Sequence, residues 1–287
     1  LAMSLAEGMA NSVSIEDTSL MTGSDRKLMV ELLDSITSSP SNISVPTLIL
    51  CHNLSSIYVR EQDWHEASDC SKAVLQHVYP SIEKAGSHKQ FTTALAPPIA
   101  DLALILAYCH FRRLHLEQAT TVYENAFGSL IVSDKVPVAS VLAVAKAVVE
   151  FYETTYQFTK ALTLLHTVSN LLASRLGETH KHTVDNMYLE AALANRLEMN
   201  DEAKSTYQRI YKNTLRDNAI APEGMEAALA LIGLYEKEMQ WSSALDVYRH
   251  LWPSVVVHDS MHAYDQMQTE RLLEKTYIGY MTILTTH

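Results

Sequence analysis

Phe158-Thr159-Lys160-Ala161-Leu162-Thr163-Leu164-Leu165 sets a small residue three places after an aromatic and four places before a large apolar one. Asn200-Asp201-Glu202-Ala203-Lys204-Ser205-Thr206-Tyr207 repeats the spacing with asparagine in the aromatic place, and Trp241-Ser242-Ser243-Ala244-Leu245-Asp246-Val247-Tyr248 repeats the frame in full. Toward the N-terminus the same spacing recurs at Leu116, Ala119 and Tyr123, with leucine in the aromatic place, and at Trp64, Ala67 and Ser71, with serine in the last. The five alanines, Ala67, Ala119, Ala161, Ala203 and Ala244, are spaced by 52, 42, 42 and 41 residues. A period of this length marks stacked supersecondary units, each too small to bury its own apolar face.

Further columns keep the same register. Sixteen residues before each alanine stand Cys51, Ala103, Ala145, Met187 and Ala228; nine before stand Tyr58, His110, Tyr152, Ala194 and Tyr235. Seven after stand Val74, Ala126, Val168, Ile210 and Leu251. Each unit therefore reads as two amphipathic helices. The first ends about four residues before the aromatic column, and the second starts near it. Alanine at the crossing lets the two helices approach closely. The residue four places later lies one turn along the same face, where it can pack into the next unit.

Composition agrees with an almost purely helical chain. Gly and Pro number 8 each in 287 residues, about half their average usage, while 47% of the chain is apolar. The net charge is −11 with no dense basic cluster, which disfavours phosphate backbones and makes nucleic acid an unexpected partner. Cys51, Cys70 and Cys109 lie at no metal or disulfide spacing and read as small buried apolar residues of a reducing, cytoplasmic or nuclear setting. The Asn42 and Asn53 glycosylation sequons read as chance, since Asn53 falls within a predicted helix. The longest apolar runs, at 102–109 and 136–145, are far shorter than the roughly 18 residues of a membrane span.

The columns resemble the tetratricopeptide repeat, whose motif runs Trp-x2-Leu-Gly-x2-Tyr, then Ala-x3-Phe, then Pro. The leucine column is Leu54, Leu106, Val148, Glu190 and Leu231, followed by Ser55, Ala107, Val149, Ala191 and Ile232. Glu190 departs most, and Leu189 beside it is expected to take over by a slight helix rotation. The period near 42 and the stretch Leu176-Gly177-Glu178-Thr179-His180-Lys181-His182-Thr183 resemble the kinesin-light-chain subclass. In that stretch Gly177 suits a helix C-terminus and Thr183 the next N-cap. The resemblance implies an all-α, right-handed α-solenoid of five helix pairs over residues 46–257.

The flanks are expected to differ. Residues 1–23 read as a poorly ordered leader, 24–45 as an N-terminal helix and linker, and 258–287 as a capping helix or truncated sixth repeat. A start at Leu1 and a helical pattern running to His287 read as part of a longer protein. Residues 80–98 carry the ten extra residues of the first spacing and read as a lengthened loop or helix end.

Little points to catalysis. His258 and His262 have metal-ligand spacing around Asp259, but no third ligand is evident. Cys109, His110 and His115 read as packing and solvent contacts at a helix end. Asn200-Asp201-Glu202 starts like a terpene-cyclase metal motif, yet no Asp-Asp pair and no glycine-rich phosphate loop occurs. No catalytic residue, metal or cofactor is expected; a helical enzyme is the remote alternative.

The resemblance implies a concave groove lined by the first helix of each pair. Transferred by register, its residues are His52, Ser56, Leu104, Tyr108, Lys146, Glu150, Tyr188, Leu229 and Gly233, with Arg112, Asn195 and Lys237 farther along the same helices. The pattern lacks the lysine and asparagine set of a chaperone carboxylate clamp. Mixed charges set it apart from the basic groove that kinesin light chains offer to acidic, tryptophan-containing peptides. The expected function is a protein-interaction scaffold holding a peptide or partner protein. The alternative is a regulatory or self-association module whose groove holds its own tail or a second copy.

Overall fold

A computed structural model describes residues 44–88, 94–132, 134–216 and 219–259, together with Lys27, Val30, Glu31, Ile278, Met281 and Thr285. The expected leader, most of the N-terminal helix and linker expected over 24–45, His262 and most of the helix expected near the C-terminus lie outside the described residues. Among the described residues ten α-helices follow one another: α1 Val45–Arg60, α2 Trp64–Val78, α3 Ala96–Arg112, α4 Leu116–Ile131, α5 Val138–Thr154, α6 Phe158–Leu176, α7 Lys181–Arg196, α8 Asn200–Thr214, α9 Met225–Lys237 and α10 Trp241–Asp259. The strands among the described residues form one two-stranded ladder, β1 Leu215–Arg216 and β2 Ala219–Ile220, in the α8–α9 joint.

The helix ends follow the register. Every first helix stops four residues before the aromatic column, and every second helix starts on it, at Trp64, Leu116, Phe158, Asn200 and Trp241. All five crossing alanines are fully buried. The residues four places on, Ser71, Tyr123, Leu165, Tyr207 and Tyr248, are at most 5% exposed.

The five turns within the pairs share one hydrogen-bonded form. The first helix ends in a left-handed residue at Gln62, Leu114, Tyr156, Glu198 and Met239, each five places before its alanine. The following N–H donates five residues back, as from Asp63 to Tyr58 at 2.9 Å and from Met199 to Ala194 at 3.0 Å. This is the Schellman cap, which satisfies the last carbonyls of the first helix and reverses the chain. Glycine is the usual residue at that position, and none of the five turns uses it.

Two compact units divide the chain, Leu1–Phe151 and Tyr152–His287, with the boundary inside α5. In the first, α1 to α4 pack in sequence, and Phe151 of α5 meets Phe111 and Tyr123 at ring distances of 5.5 and 4.9 Å. In the second, α6 to α10 pack in sequence around a core that includes Met187, Ala203, Tyr207, Ile210, Leu231 and Leu251.

The extra residues after α2 are folded back rather than loose. Asn125 of α4 donates its amide to the carbonyls of Ile82 at 2.7 Å and Lys84 at 2.6 Å. The buried Tyr79 hydroxyl donates to the Ser87 carbonyl and shares a 2.8 Å bond with Ser129. Glu83 joins Lys72 at 2.8 Å and His110 at 3.1 Å. Pro46, Pro97 and Pro98 sit in the first turns of α1 and α3, where a missing N–H costs nothing. Pro253 lies inside α10 and is exposed.

Candidate functional site

All twelve register-derived groove residues lie on the first helices, and none is buried. Tyr108, Arg112, Lys146, Glu150, Asn195, Gly233 and Lys237 are exposed; His52, Ser56, Leu104, Tyr188 and Leu229 are half-buried. Their neighbours in the buried columns face the other way, as the 3.6-residue period requires.

In the first unit the exposed face carries an aromatic–cation cluster. The rings of Trp64 and Tyr108 meet edge to face with centroids 5.7 Å apart, and the Arg112 guanidinium stands 4.8 Å from the Trp64 ring and 6.0 Å from Tyr108. Trp64 begins α2, whereas Tyr108 and Arg112 lie one turn apart on α3, so the turn of one pair meets the first helix of the next. The sequence register named Tyr108 and Arg112 for the groove but placed Trp64 only in the repeat frame. On α5, Lys146 and Glu150 approach at 4.0 Å as exposed partners one turn apart.

In the second unit Tyr188 and Leu229 divide their surface between solvent and core. The Tyr188 ring lies 5.9 Å from Tyr207 of the same pair. Burial, with Glu226 nearby, raises the Tyr188 phenol above its ordinary value. Around Gly233 no atom would meet an added Cβ within 4 Å, so packing does not require glycine there.

A different site appears where the register looked weakest. Glu190 is itself only 8% exposed, while Leu189 is 55% exposed, so the leucine does not replace it. Rotation is unnecessary because the carboxylate finds partners. Oε2 accepts from the Ser169 hydroxyl at 2.6 Å, and Oε1 lies 2.8 Å from His166 Nδ1. Asn186 donates to Ser169 Oγ at 2.8 Å and to the Leu165 carbonyl at 2.9 Å. A pocket of about 380 Å³ opens beside this network, lined from α6, α7 and α8 by Leu162, His166, Glu190, Ala194, Met199 and Thr206 among others. Tyr188 and Asn195 project from another side of α7. A carboxylate in the leucine column was the signal for this site.

The joint before α7 also differs from expectation. Gly177 does end α6, with φ of 92°. The N-cap of α7, however, is His180, whose Nδ1 accepts from the His182 N–H at 3.2 Å. Thr183 lies one turn inside, and its hydroxyl donates back to the Gly177 carbonyl at 2.9 Å. Asn53 is 3% exposed within α1, out of reach of glycosylation in the folded chain.

Among the described residues no three His, Cys, Asp or Glu side chains gather as metal ligands, and no helix is long and apolar enough to cross a membrane.

The helix pairs are tetratricopeptide-like by their own register: a buried alanine at each crossing, a buried residue one turn on, and a three-residue reversal. No family model and no curated protein matches the chain. Among solved structures it is similar to the kinesin light chain nearly identical TPR-like repeats of Podosopora anserina, with a TM-score of 0.46 and 17% identity over 78% of this chain and 99% of that one. It is also similar to BtubC (BKLC) from P. vanneervenii, with a TM-score of 0.45 and 14% identity over 100% of this chain and 94% of that one. A third, an assembly chaperone of RpL4, has a TM-score of 0.39 and 15% identity over 100% of this chain and 98% of that one.

Proposed function

We propose that this chain is a protein-interaction scaffold, and that the exposed faces of its first helices hold an extended peptide segment of a partner protein. The observation behind this reading is the Trp64–Tyr108–Arg112 cluster. Aromatic and arginine side chains contribute most to binding hot spots, and here a cation and two rings are already set against one another at the surface. The partner segment would carry an apolar or aromatic residue for the rings and a carboxylate for Arg112. Binding on this reading involves no chemical step.

Selection of displayed random peptides against the purified protein tests the proposal. Selected peptides should share an acidic–aromatic pattern and lose about tenfold or more in affinity to Tyr108→Ala and Arg112→Ala, since a hot-spot truncation costs about 2 kcal/mol. Peptides that bind both variants as well as the parent would refute the site. Light scattering across a concentration series addresses self-association: a mass that doubles with concentration, and reverts in Arg112→Ala, would make a second copy the occupant.

A further inference from the structure

We propose that Cys51 and Cys70 form an oxidative modification site, at which a peroxide joins the two thiols into an intrachain disulfide tying α1 to α2. Their separation in sequence matches no disulfide pattern, and the fold supplies what the spacing does not. Cys51 stands in the column that faces the crossing, and Cys70 lies three residues after the crossing alanine, Ala67. Small side chains line the seam around them. Ala67, Ser55 and Ser71 are each fully buried there, with the two serine hydroxyls 3.0 Å apart. These small residues let the helices approach closely, and the two sulfurs lie 3.7 Å from one another. Each thiol also points at the other residue's carbonyl, Cys51 at 3.2 Å and Cys70 at 3.9 Å. A disulfide bond measures about 2.05 Å, so side-chain rotation has less than about 2 Å to close.

The two thiols are unequal in a way that assigns their order. Cys70 is half-exposed, whereas Cys51 is fully buried. Burial, and Cys70 beside it, push the Cys51 thiol well above its ordinary value, so it stays protonated until a partner sulfur is activated. Cys70 is the sulfur that a small oxidant reaches. Its thiolate attacks one peroxide oxygen, the O–O bond breaks, and Cys70 becomes a sulfenic acid with release of water. Cys51 Sγ then attacks Cys70 Sγ. The S–O bond breaks, the S–S bond forms, and the oxygen leaves as a second water with the Cys51 proton. Two thiols and one peroxide give one disulfide and two waters. Cys109, buried on α3 with its thiol pushed up to about 11, serves as the internal control.

The test treats the folded protein with hydrogen peroxide, alkylates remaining thiols in denaturant, and maps unreduced tryptic peptides by mass. Trypsin cuts at Arg60, so Cys51 and Cys70 fall on separate peptides unless they are joined. The expected result is one linked species, lighter than the two thiol peptides by two hydrogens and separated again by reductant, with Cys109 alkylated. The oxidised protein should melt higher by roughly 3–6 °C, because the crosslink restricts the unfolded chain. In Cys51→Ser a sulfenic acid at Cys70 should become trappable by dimedone. Cys51→Ala provides the same readout if the serine variant fails to give a native circular dichroism spectrum. Oxidation of wild-type Cys70 to a sulfinic acid beside an alkylated Cys51 would overturn the proposal. So would linkage between chains, or complete alkylation of both cysteines after a peroxide dose that fully oxidises an unfolded Cys70 peptide.

Discussion

The α6–α7 and α8–α9 contacts lie in the same unit, one repeat apart, and are built from opposite materials. At equivalent register positions the first has Glu190, Ser169 and Asn186, and the second has Leu231, Tyr211 and Ala227. All six are less than a tenth exposed. In the second contact Leu231 and Ala227 belong to the apolar core, and the one polar atom, the Tyr211 hydroxyl, is matched by His250 Nδ1 at 2.7 Å. In the first, three polar residues satisfy one another and engage His166. The repeat frame fixes which positions are buried but not what chemistry fills them. Once one polar group enters a buried column, its neighbours must supply partners, so the polar residues change as a set.

Breaking that set should produce the largest effect. Glu190→Ala strands the Ser169 hydroxyl and opens a hole, at an expected cost of about 2–4 kcal/mol. A urea-denaturation midpoint that moves by the corresponding amount would bear this out. The triple change Glu190→Leu, Ser169→Ala, Asn186→Ala converts the contact toward its neighbour's material and should recover most of the loss. If the triple variant is no better than Glu190→Ala, the network is not a self-contained substitute for apolar packing. The next effect belongs to what the two contacts share. Ala203→Leu forces a large side chain between α7 and α8 and should cost about 1–3 kcal/mol by overpacking. Leu189→Ala, on an exposed position beside the network, should change the same midpoint by less than about 0.5 kcal/mol.

The contrast also shows what the sequence could reveal. Alanines in phase, mostly about 42 residues apart, were enough to place the turn inside every helix pair, because close crossing tolerates only a small side chain. Glu190 was visible as an anomaly but was misread, since a carboxylate in an apolar column suggests helix rotation until its partners on α6 are known. Those partners lie 21 to 24 residues away in sequence and meet it only through the fold. The same holds for Cys51 with Cys70, and for Trp64 with Arg112. The Schellman turns were hidden for a local reason. Leucine, tyrosine and methionine in the left-handed region carry no signature, whereas glycine or asparagine would have announced it.

A second polar joint, in the first unit, makes the comparison sensitive to pH. Burial acts to raise the Glu83 carboxyl, but Lys72 and His110 outweigh it and hold the group below its ordinary value of 4.5. Burial, against the pull of Glu83, lowers His110 from 6.5. A carboxyl lowered in the folded state contributes stability that is present above its unfolded value and lost as pH falls through the folded one. An imidazole lowered by burial acts in the same direction, since the unfolded chain takes up its proton first. Stability should therefore fall from about pH 6.5 downward, in two overlapping stages. Glu83→Gln should be less stable than wild type at pH 7, and the gap should close below pH 4.5, where the wild-type carboxyl also becomes neutral. Midpoints of the two proteins that stay a constant distance apart from pH 7 to pH 3 would remove Glu83 from this role.

The smallest expected effect separates folding from binding on the proposed surface. Gly233 sits inside α9, on the exposed face, with a helical backbone and open space where a Cβ would be. Alanine there adds no clash and should stabilise the second unit by about 0.5–1 kcal/mol, through helix propensity and a less flexible unfolded chain. Tyr207 and Leu231, buried on the other side, are not touched by the change. A rise in melting temperature with unchanged peptide affinity would mean that the bound segment passes at a distance from α9. A rise in melting temperature with weaker affinity would mean that the backbone of a ligand lies directly against Gly233, because the added methyl group obstructs only what comes from outside the fold.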